Sequence, residues 1–313
     1  MGLITIADAI DAVEEVFKIN GQDGVINPSR QQINSPGGYL RLTSAIVTPM
    51  KKIAVKVSSS MVFNSDSGRT LLLIDSKTGR VDAIIQVLRL GALRTAAASG
   101  VTTKYLAKEN ATSLGVIGAG RQARTQIFAI RAVRPIESII VLGLGQAKTF
   151  QFCEERSSKL GFLVNVAKDH LDLYDCSIIC TATTPHEPVL FGKTLRPGTH
   201  INSIGANRIE RQELDDEVIP KCSIVTVDNK NQARKEPALL NRAIKDVKSS
   251  FCWDDVLELS DCMKAKGQIH RQSDAITLYN SHGVAMEDVA LATKAFDLAN
   301  EKGIGSFVEF TGV

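Results

Sequence analysis

The chain has 313 residues, of which 44% are hydrophobic and 23% charged, with a formal net charge of +3. That length predicts two domains, and the composition is ordinary globular usage that excludes a disordered or fibrous protein. Charges of both signs are interspersed with no Lys/Arg-rich run, no stretch reaches the ~18 apolar residues of a membrane span, and Met1-Gly2-Leu3-Ile4-Thr5 starts no basic-then-apolar leader. No nucleic acid and no membrane partner is therefore expected, and the location reads as cytoplasmic.

In chain order, Ala9, Ile10, Val13, Val16 and Phe17 form a helical apolar stripe over 7–20, with Thr5 as N-cap and Gly21 beyond the end. Strand-like runs follow at Tyr39 to Val47, Ile53 to Ser58, Thr70 to Asp75 and Arg80 to Val87, the last two joined as a hairpin by Ser76-Lys77-Thr78-Gly79. Leu90 to Ala107 is an Ala-rich helix. The first unit thus reads as a mostly antiparallel sheet with flanking helices.

From Ser113 the texture changes. Short apolar runs at Leu114 to Ile117, Ile139 to Leu142, Phe162 to Val166, Ser177 to Thr181, Ile201 to Ile204 and Ile224 to Val227 alternate with helical or irregular segments. This predicts a parallel, doubly wound α/β sheet of Rossmann type. A last helix is expected over Val284 to Glu301, and Ser306 to Phe310 reads as a strand that returns to the first sheet. The expected organisation is a substrate-binding and dimerisation domain of α+β type from 1–109 and 283–313, and a dinucleotide-binding domain from 110–282.

The six cysteines and five histidines lack the spacings of a zinc ribbon, a redox pair or a helical metal site, so no metal is expected. The strongest chemical signal is Leu114-Gly115-Val116-Ile117-Gly118-Ala119-Gly120-Arg121-Gln122-Ala123, an apolar strand entering a glycine turn and an amphipathic helix. Gly118 suits the tight turn, Gly120 lets backbone approach a pyrophosphate, and Ala123 lets the helix pack closely on the strand. Gly118, Ala119, Gly120, Arg121 and Gln122 are the expected cofactor contacts. The second strand ends in Leu142-Gly143-Leu144-Gly145-Gln146, with neither an acid for a ribose hydroxyl nor an arginine for a 2′-phosphate, and Lys148 reads equally as a phosphate ligand or a solvated helix lysine. NAD(H) and NADP(H) both remain open.

Gly91-Ala92-Leu93-Arg94-Thr95-Ala96-Ala97-Ala98-Ser99, about twenty residues before the glycine turn, resembles the signature of the ornithine cyclodeaminase and mu-crystallin family. Pro28-Ser29-Arg30, Ala54-Val55-Lys56-Val57, Asp75-Ser76-Lys77-Thr78-Gly79, Pro197-Gly198-Thr199-His200-Ile201-Asn202, Glu213-Leu214-Asp215 and Ser281-His282-Gly283-Val284-Ala285 follow in the family's order. The resemblance implies a homodimer acting on small amino or imino acids. It assigns Arg30, Lys56 and Arg94 to the substrate carboxylate, with Lys56 catalytic. It assigns Thr95 to phosphate, Thr181, Ala182 and Thr183 to the loop after the fourth strand, and Ser281 to the nicotinamide. Taken singly, Arg30, Lys56 and Arg94 also read as surface charges.

The sequence departs from that pattern in places. Where the cyclodeaminases carry an acid/base aspartate, it reads Ile204-Gly205-Ala206-Asn207, and an amide exchanges no proton near neutral pH. Asn207 is therefore expected to orient substrate. The expectation shifts to NAD(P)H-dependent reduction of an α-imino acid, a cyclic ketimine or a 2-oxo acid plus amine, or to the reverse amino-acid dehydrogenation. The alternatives are ornithine cyclodeamination to proline and ammonia, or a mu-crystallin-like nucleotide-dependent binder. Ile85-Gln86-Val87, Gly91 and His282 also depart from the pattern, His282 reading either as a proton donor or as a helix-start residue. The chain starts about a strand and a turn late for the family, which predicts a shorter dimer sheet.

Overall fold

A computed structural model describes residues 2–61, 68–205, 211–236, 238–245, 250–264 and 272–309. Asn207 lies outside the described residues. The first helix, α1 (Ile6–Asn20), is capped as its sequence demands: Asp8 N–H donates to Thr5 Oγ1 at 3.1 Å and Thr5 N–H donates to Asp8 Oδ2 at 3.0 Å. Its stripe of Ala9, Ile10, Val13, Val16 and Phe17 is buried.

Strands β1 (Val25–Ile26), β2 (Gln31–Ser35), β3 (Gly38–Val47), β4 (Lys52–Met61), β5 (Arg69–Asp75) and β6 (Val81–Gln86) build an antiparallel sheet in the order β1-β3-β4-β5-β6, with β2 also on β3. One face of this sheet changes character along its length. The cross-strand partners Ala45, Ala54 and Leu73, with Val47 and Leu71, are buried, and the last helix, itself packed on α1, covers that end. Two residues further along the same face stand Thr43 and Lys56, then Arg41, Ser58 and Arg69. Side chains repeat every second residue, so a single face runs from apolar core to polar cavity wall.

Helix α2 (Leu88–Leu106) bridges the two sheets. Its run of Ala, Ser, Thr and Gly is almost wholly buried because neighbours approach closely: a Cβ on Gly100 would lie 3.0 Å from Ile10 and 3.3 Å from the Ala129 carbonyl. Asn202 ties the helix to the second sheet through Thr102 at 3.1 Å and Thr103 at 3.0 Å.

The second sheet alternates strands and helices: β7 (Ser113–Ile117), α3 (Arg121–Val133), β8 (Ser138–Leu142), α4 (Gln146–Leu160), β9 (Val164–Val166), β10 (Ile178–Thr181) and β11 (His200–Ser203). There follow α5 (Val218–Lys221), β12 (Ile224–Val227), α6 (Lys230–Lys235), α7 (Ala238–Lys245), β13 (Val256–Glu258), α8 (Leu259–Lys264), β14 (Thr277–Asn280) and α9 (Ala285–Glu301). All pairings are parallel, in the order β13-β12-β14-β11-β10-β7-β8-β9. The winding reverses between β7 and β10, which places a crevice at their carboxyl ends.

Two expectations need correction. The parallel sheet holds two strands, β13 and β14, beyond the six expected. β14 is buried on both faces, yet it carries Thr277 and Asn280, and Thr277 Oγ1 meets His200 Nδ1 at 2.9 Å inside the sheet. Of the strand expected at Ser306 to Phe310, the described residues 306–309 are irregular and exposed, and no strand of the described residues lies alongside to pair with them. Among the described residues no helix is long and apolar enough to cross a membrane, and no group of three or more His, Cys, Asp or Glu side chains is placed to hold a metal ion.

Candidate active site

A cavity of about 450 Å³ opens between the polar end of the antiparallel sheet, the start of α2, the glycine turn before α3 and the loops after β10, β11 and β14. Of the residues singled out in the sequence, Arg30, Lys56, Arg94, Thr95, Gly120, Arg121, Gln122, Ala182, Thr183 and Ser281 line it. Gly118 and Ala119 lie behind in the turn, and Thr181 is buried at the end of β10.

On the nucleotide side, Gly118 has φ +113°, and a Cβ there would sit 2.6 Å from the Ala182 carbonyl. Only glycine permits both the angle and the approach. Gly120 caps α3 with open space where a side chain would stand, and Gln122 Oε1 is buried without a hydrogen-bond partner among the described residues. Open backbone at a helix N-terminus suits a pyrophosphate. The neighbouring loops are fixed by Glu213, a residue the sequence marked only within a motif. Its buried carboxylate accepts hydrogen bonds from Thr181 Oγ1 at 2.8 Å, Thr183 N at 2.7 Å, Thr183 Oγ1 at 2.6 Å, Ser203 Oγ at 3.0 Å and Gly205 N at 2.7 Å. Thr95 Oγ1 donates to the Gly91 carbonyl at 2.9 Å.

On the opposite wall, Lys56 reaches from the middle of β4 to pair with Asp288 on α9. Arg94 on α2 donates to Glu287 at 2.8 Å and stands 3.6 Å from Asp288. Arg30, from the loop before β2, pairs with Glu236 and donates to the His282 carbonyl at 2.8 Å. Gly283, at φ +71°, leaves the space that the Arg94 guanidinium fills. Asp228 braces the turn by accepting from Tyr279 Oη, His282 N and Gly283 N, the last at 2.6 Å. Burial raises Asp228 against these donors.

Burial governs the electrostatics. It lowers Lys56, helped by Arg94 and opposed by Asp288. It would lower Arg94 too, but Glu287 and Asp288 outweigh it and raise the guanidinium. Glu287 is pushed up to about 8 by burial, against the pull of Arg94. His282 is pushed down to about 3 by burial and the Arg30 charge, so its ring is neutral across the ordinary pH range. Arg30 Nε, Arg94 Nε, Glu287 Oε1, Asp288 Oδ1 and both His282 ring nitrogens are buried without hydrogen-bond partners among the described residues. Buried polar atoms are rarely left so, and the presence of Arg30, Arg94, His282 and Asp288 around one cavity suits a polar ligand.

Asp288 and Glu287 escaped the sequence reading. The available signal was an acid pair in a helix whose neighbours Ala285, Met286, Val289, Ala290, Leu291 and Ala292 are all apolar, since acids so buried require cations.

A doubly wound parallel sheet with a glycine-turn cradle, joined to a wall of buried ion pairs, defines a nucleotide-dependent protein for small charged substrates. The chain matches the ornithine cyclodeaminase/mu-crystallin family over residues 1–303 and belongs to it. Among solved structures it is similar to Thermococcus litoralis Δ1-pyrroline-2-carboxylate reductase in complex with NADH and L-proline, at 32% identity and TM-score 0.91, over 98% of this chain and 97% of that one. It is similar to an archaeal alanine dehydrogenase dimer with bound NAD, at 28% identity and TM-score 0.90, over 99% and 96% of the two chains. It also resembles the iminosuccinate reductase of Paracoccus denitrificans in complex with NAD+, at 26% identity and TM-score 0.90, over 98% and 96%.

Proposed function

We propose that this chain is a cytoplasmic NAD(P)(H)-dependent oxidoreductase that reduces an α-imino acid, cyclic or formed from a 2-oxo acid and an amine, to an amino acid, or runs the reverse dehydrogenation. The observation that carries this reading is that the nucleotide cradle, the Lys56–Asp288 pair and Arg94, which Glu287 holds from behind, line one cavity. Relatives named for imino-acid reduction and amino-acid dehydrogenation support it. Gly118, Ala119, Gly120, Arg121 and Gln122 hold the dinucleotide, with Thr95, Thr181, Ala182, Thr183 and Ser281 around it. A nicotinamide dinucleotide, when bound, supplies or accepts the hydride.

Arg30 and Arg94 take the substrate carboxylate, whose oxygens satisfy the unpartnered Nε atoms. Reduction of C=N to CH–NH also takes up one proton. Lys56 holds that proton beside Asp288 and keeps the imine nitrogen protonated and its carbon electrophilic. Asn207 supplies an amide that orients substrate. Residues 110–282 form the dinucleotide domain, and 1–109 with 283–313 the substrate domain. The latter pairs with a second copy through the sheet face that leaves Ile33 and Ile84 exposed, in keeping with the dimeric alanine dehydrogenase neighbour.

The test follows nicotinamide absorbance with NADH and NADPH against cyclic imino acids and against 2-oxo acids with ammonia or methylamine, with ammonia release from ornithine measured in parallel. Saturable oxidation of one reduced nucleotide is expected. Proline and ammonia without net redox change would instead establish cyclodeamination, and no turnover with any substrate would leave a binding protein.

A further inference from the structure

The ion pairs described above leave part of the cavity unexplained. Seven basic side chains line it against one carboxylate, that of Asp288, among the described residues. Arg30, Lys56 and Arg94 have acidic partners, and Arg121 stands at the start of α3 beside the nucleotide cradle. Arg69 belongs to neither group. It is half-buried at the first position of β5, and among the described residues no carboxylate pairs with it.

Its position follows from strand register. Ser58 of β4 lies opposite Arg41 of β3 on one side and Arg69 of β5 on the other, so the three share one rung of the sheet. Lys56, opposite Thr43 and Leu71, is the next rung on the same face. Two residues of extended chain span about 7 Å. With the α-carboxylate on Arg30 and Arg94 and the imine at the Lys56 level, a short side chain runs along the sheet to the Arg69 rung. Arg41 is already anchored by Gln32 Oε1, at 2.8 and 3.2 Å, and stacks over Tyr39. Burial lowers Arg69, and the like charges of Arg121 and Arg94 lower it further, so an arriving anion relieves repulsion as well as forming a hydrogen bond.

We propose that the substrate carries a second acidic group, a side-chain carboxylate received by Arg69 and Ser58, so that the enzyme prefers dicarboxylic imino acids to those with apolar or cationic side chains. This rests on the imino-acid reading above. A diamino acid would bring its distal cation into a wall with a large excess of positive charge, where no unpaired carboxylate of the described residues receives it. Nucleotide phosphate shares the chemistry of a carboxylate, but the glycine turn, the α3 N-terminus and Arg121 already serve it, whereas Arg69 lies on the sheet wall that carries Lys56.

The test compares wild type with Arg69→Gln and Arg69→Lys in three measurements. Calorimetry with NAD+ present measures binding of L-aspartate and L-glutamate against L-alanine. Steady-state kinetics compare oxaloacetate or 2-oxoglutarate with pyruvate, each with ammonia, and NADH affinity is titrated by fluorescence. The wild type is expected to favour the dicarboxylates at least tenfold, and Arg69→Gln to reduce that preference by about 10- to 100-fold, the loss of one charge-assisted hydrogen bond. Arg69→Lys recovers part of the preference. An equal loss on all substrates, a weakened NADH affinity as the main effect, or no preference in the wild type would each overturn the proposal. Discriminating dicarboxylate binding without oxidation of NADH or NADPH by any imine would leave this subsite standing and sink the reductase reading instead.

Discussion

Lys56 sits inside an apolar strand segment with its ammonium against Asp288, and burial lowers its pKa from the ordinary lysine value. A lysine so placed exchanges its proton more readily than one in water. If it must be protonated for reduction, kcat/KM in that direction falls as pH rises through its lowered pKa, while dehydrogenation gains. Lys56→Ala is expected to lower turnover at least a thousandfold while a fluorescence titration still detects NADH binding. It also leaves Asp288 buried without its cation, at a stability cost of about 3–5 kcal/mol, so Lys56→Ala/Asp288→Asn is the control that separates chemistry from unfolding.

His282 and Glu287 make opposite demands on pH. The folded pKa of His282 is about 3 against an unfolded value of 6.5, so as pH falls from 6.5 towards 3 the unfolded chain takes a proton that the native one refuses. Stability then drops by up to about 1.4 kcal/mol per pH unit. Glu287 holds its proton up to about 8 against an unfolded value of 4.5, so stability also drops as pH rises across that window. Urea melts from pH 4 to 9 are expected to show a weaker acid slope for His282→Gln and a weaker neutral-to-alkaline slope for Glu287→Gln. Parallel curves for parent and variants would refute the assignment.

At the scale of elements, the glycine turn and the open sheet face give the sharpest expectations. Gly118→Ala brings a Cβ to 2.6 Å from the Ala182 carbonyl at φ +113°, so it strains the backbone by about 1–3 kcal/mol and moves the turn away from the phosphate position. NADH affinity is expected to fall at least tenfold, and an unaltered titration would argue against this cradle. Helices α1, α2 and α9 gather on one side of the antiparallel sheet, and Ile84 on β6 is 57% exposed. Ile84→Lys is expected to convert a dimer to monomers in sedimentation equilibrium, since a buried lysine without a partner opposes association. A parent chain that sediments as a monomer would refute the dimer itself.

Elements with an internal period were legible. The α1 stripe, the β5–β6 hairpin and the alternation after Ser113 each repeat a pattern tied to their own geometry. β14 was not, because its four residues are buried on both faces and so show no two-residue alternation, and the neighbouring strands decide their place. The tail from Ser306 failed differently: its apolar residues suggest a strand, but a strand needs an edge to join, and the described residues provide none beside residues 306–309.

Across the whole molecule, the sequence by itself determined the two kinds of layer and the strand-turn-helix of the nucleotide cradle, which depend on local spacing and residue type that a linear reading contains. The cations Arg30, Lys56 and Arg94 stood out only through the family resemblance, since each taken singly reads as a surface charge. Only the tertiary structure decided which acids oppose those cations. Asp288 is 232 residues from Lys56, Glu287 is 193 from Arg94 and Glu236 is 206 from Arg30, so no periodicity links them. It likewise decided that Glu213 clamps two loops and that Arg69 shares a rung with Ser58, one step from Lys56. Ion pairing and strand register are set by which surfaces meet when the sheets pack, and burial then shifts the pKa values that the chemistry uses.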